Sequence, residues 1–247
     1  MTYCVAMRLA EGLVFVSDSR TNAGVDHIAT FRKLHLFATP GERAIVLQSA
    51  GNLATTQSVI SLLRQRCQQE GPHLLNVPTI YDAALLVGNT IREVIQRDTG
   101  PQQSAISFGC SMLVGGQVGK QPARLFSIYP EGNFIEATTD TPYFQIGESK
   151  YGKPIIDRVL TYHTPLDQAV KCALISMDST LRSNLSVGMP LDVLCYHNDS
   201  LHTDHQYRLT EADPFYQQLR QAWSEGMVSL FSGMPDFPLD HGGRHPK

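Results

Sequence analysis

Four short runs of alternating or apolar residues open the chain: "YCVAMRL" over 3–9, "GLVFVSDSR" over 12–20, "KLHLFAT" over 33–39 and "RAIVLQSAG" over 43–51. Their β-branched and aromatic content predicts strands, and "AEG" and "TPGE" between them are turn chemistry. The period then changes. "NLATTQSVISLLRQRCQQ" predicts a helix with Asn52 as N-cap directly after Gly51. "TIYDAALLVGNTIREVIQRD" predicts a second helix, in which Thr79 and Asp82 form a capping-box variant. Strands return in "CSMLVGGQVG" and "ARLFSIYP", with the glycines of "GGQVG" read as the turn of a hairpin, since a phosphate cradle needs a strand-to-helix junction. "ESKYGKPIIDRVLTY" predicts a helix with an irregular start. In "TPLDQAVKCALISMDSTLRSN", Thr164 is the expected N-cap and Pro165 the N1 residue, with Ala169, Cys172, Ala173, Ile175 and Ser176 along one stripe. "LDVLCYHND" predicts a last long strand, followed by a short strand, a helix near 212–226 and a tail punctuated by Pro and Gly.

Runs of antiparallel strands alternating with runs of helices argue for layers. The expected fold is α+β, a four-layer α-β-β-α sandwich with two sheets face to face. No linker, composition shift or repeat divides the chain, so one domain over 1–247 is expected.

Composition narrows the function classes. A formal net charge of −3 with no basic block argues against nucleic acid as a partner. No apolar run approaches the ~20 residues that span a bilayer, and the start lacks the charged-then-apolar pattern of a secretory signal. A cytoplasmic protein without a membrane partner is expected. Cys4, Cys67, Cys110, Cys172 and Cys195 are odd in number and lack close pairing, which predicts free, mostly buried thiols. His197, His202 and His205 have spacing that fits a solvated turn better than a metal site.

Candidate chemistry sits at the start. If Met1 is removed, Thr2 becomes the first residue and carries a hydroxyl nucleophile and a free α-amine together. An amine with an ordinary pKa near ~8 can deprotonate that hydroxyl, directly or through one water. A neighbouring ammonium keeps the amine neutral by lowering its pKa. Lys33 fills that role if its strand lies beside the first, and Asp18 is the carboxylate an inward lysine requires. An acyl intermediate needs donors for its oxyanion, and "SAGN", passing from strand to helix, offers the Gly51 N–H where a Cβ would block substrate.

The combination "T…SDSR…K…AG" in these strand contexts resembles the proteasome β-subunit family of N-terminal nucleophile hydrolases. "TYCV", "SDSRTNAGVD" and "SNLSVG" are similar more specifically to its bacterial branch, Anbu (ancestral β-subunit). The likeness covers most of 2–200, leaving 201–247 as a C-terminal extension. It implies Thr2 as nucleophile, Asp18 and Lys33 as its supporting pair, and Gly51 as the oxyanion-hole glycine. It places Thr21, Asn22, Ser49 and Leu53 along the substrate groove. Two departures stand out. Where the family carries a glycine-serine-glycine, this chain reads "GESK", so either Glu148 or Ser149 replaces the serine. "RSNLS" sets Ser183 at the family's aspartate and Ser186 at its serine.

The resemblance implies a threonine-type hydrolase of peptide or amide bonds, built from many copies as a double ring or an open spiral. It needs no metal or organic cofactor, and the sequence names no ATP-driven partner. The alternatives are a narrow amidohydrolase acting on a small amide or modified peptide, and a non-catalytic assembly subunit of the same fold.

Overall fold

The computed structural model describes residues 2–22, 28–99 and 107–237. Six strands come first: β1 (Tyr3–Arg8), β2 (Gly12–Asp18), β3 (Arg20–Asn22), β4 (Ile28–Thr30), β5 (Leu34–Thr39) and β6 (Arg43–Gly51). Helices α1 (Leu53–Arg66) and α2 (Ile80–Thr99) follow, then β7 (Cys110–Val118), β8 (Arg124–Ile128), β9 (Phe134–Glu136) and β10 (Tyr143–Gly147). The chain continues through α3 (Lys153–Val159), α4 (Leu166–Ser183), β11 (Leu191–His197), β12 (Gln206–Leu209) and α5 (Pro214–Ser232).

Two five-stranded antiparallel sheets, in the orders β10-β1-β2-β11-β12 and β5-β6-β7-β8-β9, form the body of the fold, and β3 and β4 make a separate hairpin. Alternation divides each strand between two cores. From β2, Val14 and Val16 face α4, whereas Leu13 and Phe15 face the other sheet. From β6, Ile45 and Leu47 pack on α1 and α2, whereas Ala44, Val46 and Ala50 turn inward. Three apolar layers thus separate four structural ones, the α-β-β-α sandwich expected from the order of elements. Among the described residues no helix is long and apolar enough to cross a membrane.

Local signals set several boundaries. The Asn52 side chain caps α1 by accepting from the Thr55 N–H at 3.2 Å. At α2 the Thr79 hydroxyl accepts from the Asp82 N–H at 3.1 Å and donates to its carboxylate at 2.6 Å, closing the expected box. Three expectations shift. Pro165, not Thr164, is the N-cap of α4, because the Thr164 hydroxyl accepts from the Thr161 N–H in the preceding turn. Gly115 and Gly116 lie inside β7, paired with Val46 and Ile45, and only Gly119 belongs to the turn. The Phe15 ring occupies the space a Gly115 side chain would need. The last helix runs to Ser232, well beyond 226.

Candidate active site

Thr2 is nine-tenths buried at the entry to β1, and its position is set from both sides. Tyr3 pairs with Gly147, the last residue of β10, and the Thr2 carbonyl accepts from the Glu148 N–H at 2.7 Å. Gly147 has φ +84°, and a Cβ there would lie 1.9 Å from the Thr2 carbonyl oxygen. Only glycine permits that approach. The Tyr3 side chain runs the other way into the α4 core, where its hydroxyl meets Ser176 at 2.5 Å and accepts from the Gln145 amide.

Asp18, at the end of β2, is fully buried and its carboxylate is surrounded by donors. Oδ1 accepts from the Tyr3 N–H at 3.0 Å and from Lys33 Nζ at 2.7 Å; Oδ2 accepts from the Gly188 N–H at 3.2 Å. The oxygen that engages the ammonium therefore also holds the backbone next to Thr2. Burial pushes the Asp18 carboxyl up, while the Lys33 ammonium and the two N–H donors pull it back. Lys33 is itself 5% exposed, donates a second time to the Arg20 carbonyl at 2.7 Å, and is tied to β6 where its carbonyl accepts from the Ser49 N–H at 3.0 Å. "SDSR" and "SNLSVG", distant in sequence, meet here. The Ser19 and Arg20 N–H groups both donate to the Gly188 carbonyl at 3.3 Å, and Arg20 Nη1 donates to the Leu185 carbonyl at 3.1 Å.

A cavity of about 1180 Å³ opens over this pair. Thr2, Lys33, Ser49, Gly51, Leu53, Thr21 and Glu148 all line it. Gly51 is exposed at the end of β6 with φ +114°, and a Cβ would sit 2.5 Å from the Gly109 carbonyl oxygen. The clash is thus with the backbone entering β7, a second reason for glycine beside the expected approach of substrate. Glu148 turns into the cavity with its carboxylate 4.0 Å from Lys150 Nζ; Ser149, Ser183 and Ser186 are not among the lining residues. The Asn22 side chain and Met1 lie outside the described residues.

Several residues at the site are not among those expected from the sequence. Gly147 and Gly188 act through backbone geometry. Phe31, Arg32 and His35, with Gln57 and Arg64 from α1, also line the cavity. Leu53, Gln57, Ile60 and Arg64 recur at helical spacing along the α1 face on the cavity, and this periodicity is the signal that points to them. Burial, with Arg64 and Arg32 nearby, pulls His35 down to about 4, so it is neutral at pH 7. The Asp192–Arg208 pair, 2.7 Å apart on β11 and β12, also lines the cavity. Among the described residues no group of three or more His, Cys, Asp or Glu side chains could hold a metal ion.

The proteasome subunit family model matches residues 2–194. Anbu from Yersinia bercovieri is 65% identical, with 96% of this chain and 100% of that one covered at a TM-score of 0.92. This chain belongs to the proteasome subunit family, in its Anbu branch. The Anbu complex of Pseudomonas aeruginosa, described as a helical assembly, is 58% identical over 98% of this chain and 100% of that one, with TM-score 0.93. A Gly-1 mutant of Anbu from Hyphomicrobium sp. strain MC1 is 49% identical over 96% and 99%, with TM-score 0.90. No curated protein matches the chain. Membership in the Anbu branch agrees with the proteasome-type sandwich and with a likeness that runs past residue 200 into the C-terminal region.

Proposed function

We propose that this Anbu protein is a threonine-type N-terminal nucleophile hydrolase that cleaves amide bonds in peptides, working within an assembly of its own copies. The observation that carries the reading is the Lys33–Asp18 pair, buried at 2.7 Å beneath the residue that follows Thr2. A buried ion pair is often neutral or unfavourable for stability relative to apolar packing. Its use here is electrostatic: an ammonium beside Thr2 lowers the proton affinity of the α-amine and of the hydroxyl.

In this scheme Met1 is removed, because an amide nitrogen is no base. The α-amine takes the proton from the Thr2 hydroxyl as Oγ1 attacks the substrate carbonyl carbon. The Gly51 N–H stabilises the resulting oxyanion. Collapse breaks the C–N bond, the amine leaves with the proton held by the α-amine, and the acyl group stays on Oγ1 as an ester. Water, deprotonated by the same amine, then hydrolyses the ester and restores the hydroxyl. Glu148, which lines the cavity and whose N–H bonds the Thr2 carbonyl, is the candidate to compensate for the carboxylate that Ser183 lacks. The helical assembly of the Pseudomonas aeruginosa relative supports self-association as the working state.

The test is intact-mass analysis before and after treatment with a peptide epoxyketone, which bonds to both the hydroxyl and the amine of an N-terminal threonine. The expected result is a chain lacking Met1, one adduct mapped to Thr2, and no adduct on Thr2→Ala. Retained Met1 with no adduct, or labelling that survives Thr2→Ala, overturns the proposal.

A further inference from the structure

The acidic side chains around the cavity each have a cationic neighbour. Asp18 beneath it bonds Lys33 at 2.7 Å, Asp192 bonds Arg208 at 2.7 Å, and Glu148 lies 4.0 Å from Lys150. Arg32 and Arg64 are the reverse case. They reach the cavity from two different elements, Arg32 from the segment leading into β5 and Arg64 from the last turn of α1. Among the described residues neither forms an ion pair. All three of Arg32, His35 and Arg64 line the cavity, and both guanidinium groups lie near enough to His35 to act on it electrostatically. His35 adds no third charge there at neutral pH, yet presents a neutral ring with hydrogen-bonding nitrogens. His35 follows Lys33 by two residues, about 7 Å at ~3.3 Å per strand residue. That separation is about one side chain's reach from the nucleophile end.

We infer that this part of the cavity, Arg32 and Arg64 with His35, is a subsite for the carboxylate of an acidic side chain on the acyl-donating part of the substrate. The inference deepens the hydrolase reading and rests on it for the word substrate. A guanidinium presents paired N–H donors in the plane a carboxylate needs. Two such groups with no ion pair among the described residues, facing a space lined also by Phe31, Leu53 and Ile60, favour an anion carried on an extended chain over a cationic or neutral one. A lysine-bearing peptide would meet two like charges.

The proposal is tested by equilibrium binding, so that it does not depend on whether Thr2 reacts. Thr2→Ala protein is titrated with acetyl-Ala-Ala-Ala-Xaa amides bearing an uncharged dye, with Xaa as Glu, Gln or Lys, by fluorescence anisotropy. Exposed ion pairs are each worth up to about fivefold. The Glu peptide should bind about five- to tenfold more tightly than Gln, with Lys weakest. Arg32→Gln and Arg64→Gln should each remove roughly threefold of the advantage, and the double variant nearly all of it. Raising ionic strength from about 0.05 to 0.5 M should shrink the advantage. Arg64→Glu should turn the preference towards Lys. Equal or unmeasurable binding of Glu and Gln peptides, or a preference that survives the double variant, overturns the inference. Epoxyketone labelling of the wild-type protein reports separately. If neither a Glu- nor a Leu-bearing electrophile modifies Thr2 while Glu peptides bind selectively, the hydrolase reading fails and the carboxylate subsite stands.

Discussion

Replacing Lys33 by Met keeps a side chain of similar length and removes the ammonium that bonds Asp18 at 2.7 Å. In the native protein that carboxylate is fully buried and satisfied by Lys33 Nζ, the Tyr3 N–H and the Gly188 N–H. Stripping one partner from a buried pair costs about 3–5 kcal/mol, because the remaining charge is left in a medium that solvates it poorly. Two N–H donors stay in place, so the loss should sit at the lower end, about 3 kcal/mol. The alternative open to Asp18 is to bind a proton, towards which burial already pushes it.

The sign with pH follows. A carboxyl whose folded pKa is raised above the unfolded value, ~3.9, disfavours the folded state when it is ionised. The Lys33→Met deficit should therefore be largest at pH 8 and shrink as pH falls through the raised pKa towards 4. Urea unfolding followed by far-UV circular dichroism at pH 8, 6 and 5 measures it, at one protomer concentration because association would shift the midpoint. Adding Asp18→Asn should recover about 1–2 kcal/mol at pH 8 by removing the stranded charge. A Lys33→Met protein within about 0.5 kcal/mol of wild type at every pH would refute the reasoning, since ordinary surface changes are of that size.

Two more predictions rest on local geometry. Gly51→Ala places a Cβ 2.5 Å from the Gly109 carbonyl oxygen at φ +114°, so it should cost about 2–3 kcal/mol in urea unfolding and abolish Thr2 labelling through displacement of the β6–α1 junction. Among the thiols, burial raises Cys4, and holds Cys110 at about 12 and Cys172 and Cys195 at about 11. Iodoacetamide at pH 8 should therefore alkylate Cys67 first in the folded protein, read by peptide mass mapping; modification of Cys4 or Cys110 ahead of it would contradict the packing.

The strands and helices that the linear pattern reveals are those whose apolar face is wide and whose ends carry local chemistry. β6 appears with its own bounds, Arg43 to Gly51, and Asn52 and Thr79 cap the helices expected of them. β10 was not foreseen. "YFQIG" is short, follows a polar run and gains its stability from β1, some 140 residues earlier in sequence, through the register Cys4 with Ile146 and Tyr3 with Gly147. The β3–β4 hairpin is likewise too short to carry a period. Gly115 and Gly116 look like turn residues in isolation, and it is the approach of Phe15 from the facing sheet that keeps them in a strand.

The same division runs through the site. Thr2, Asp18, Lys33 and Gly51 are legible because strand order alone brings strand ends together: β1 and β2 are adjacent in one sheet, and the lead into β5 is bonded to β6 at Ser49. Which of the serines and acids reaches the cavity is not legible, because that depends on loops. Glu148 faces the cavity because the Gly147 backbone, at φ +84°, turns the chain directly over the Thr2 carbonyl, and Ser149 is carried past it. The segment holding Ser186 contributes through the Gly188 N–H on Asp18 and the Gly188 carbonyl beneath Ser19 and Arg20, so its backbone secures the carboxylate while its serines are not among the residues lining the cavity. A motif can thus keep its place in the fold after its side chains change. Beside "RSNLS" the Asp18–Lys33 pair is held in place by main-chain groups, the Gly188 N–H on Asp18 and the Arg20 carbonyl on Lys33, which do not depend on which side chains Ser183 and Ser186 carry.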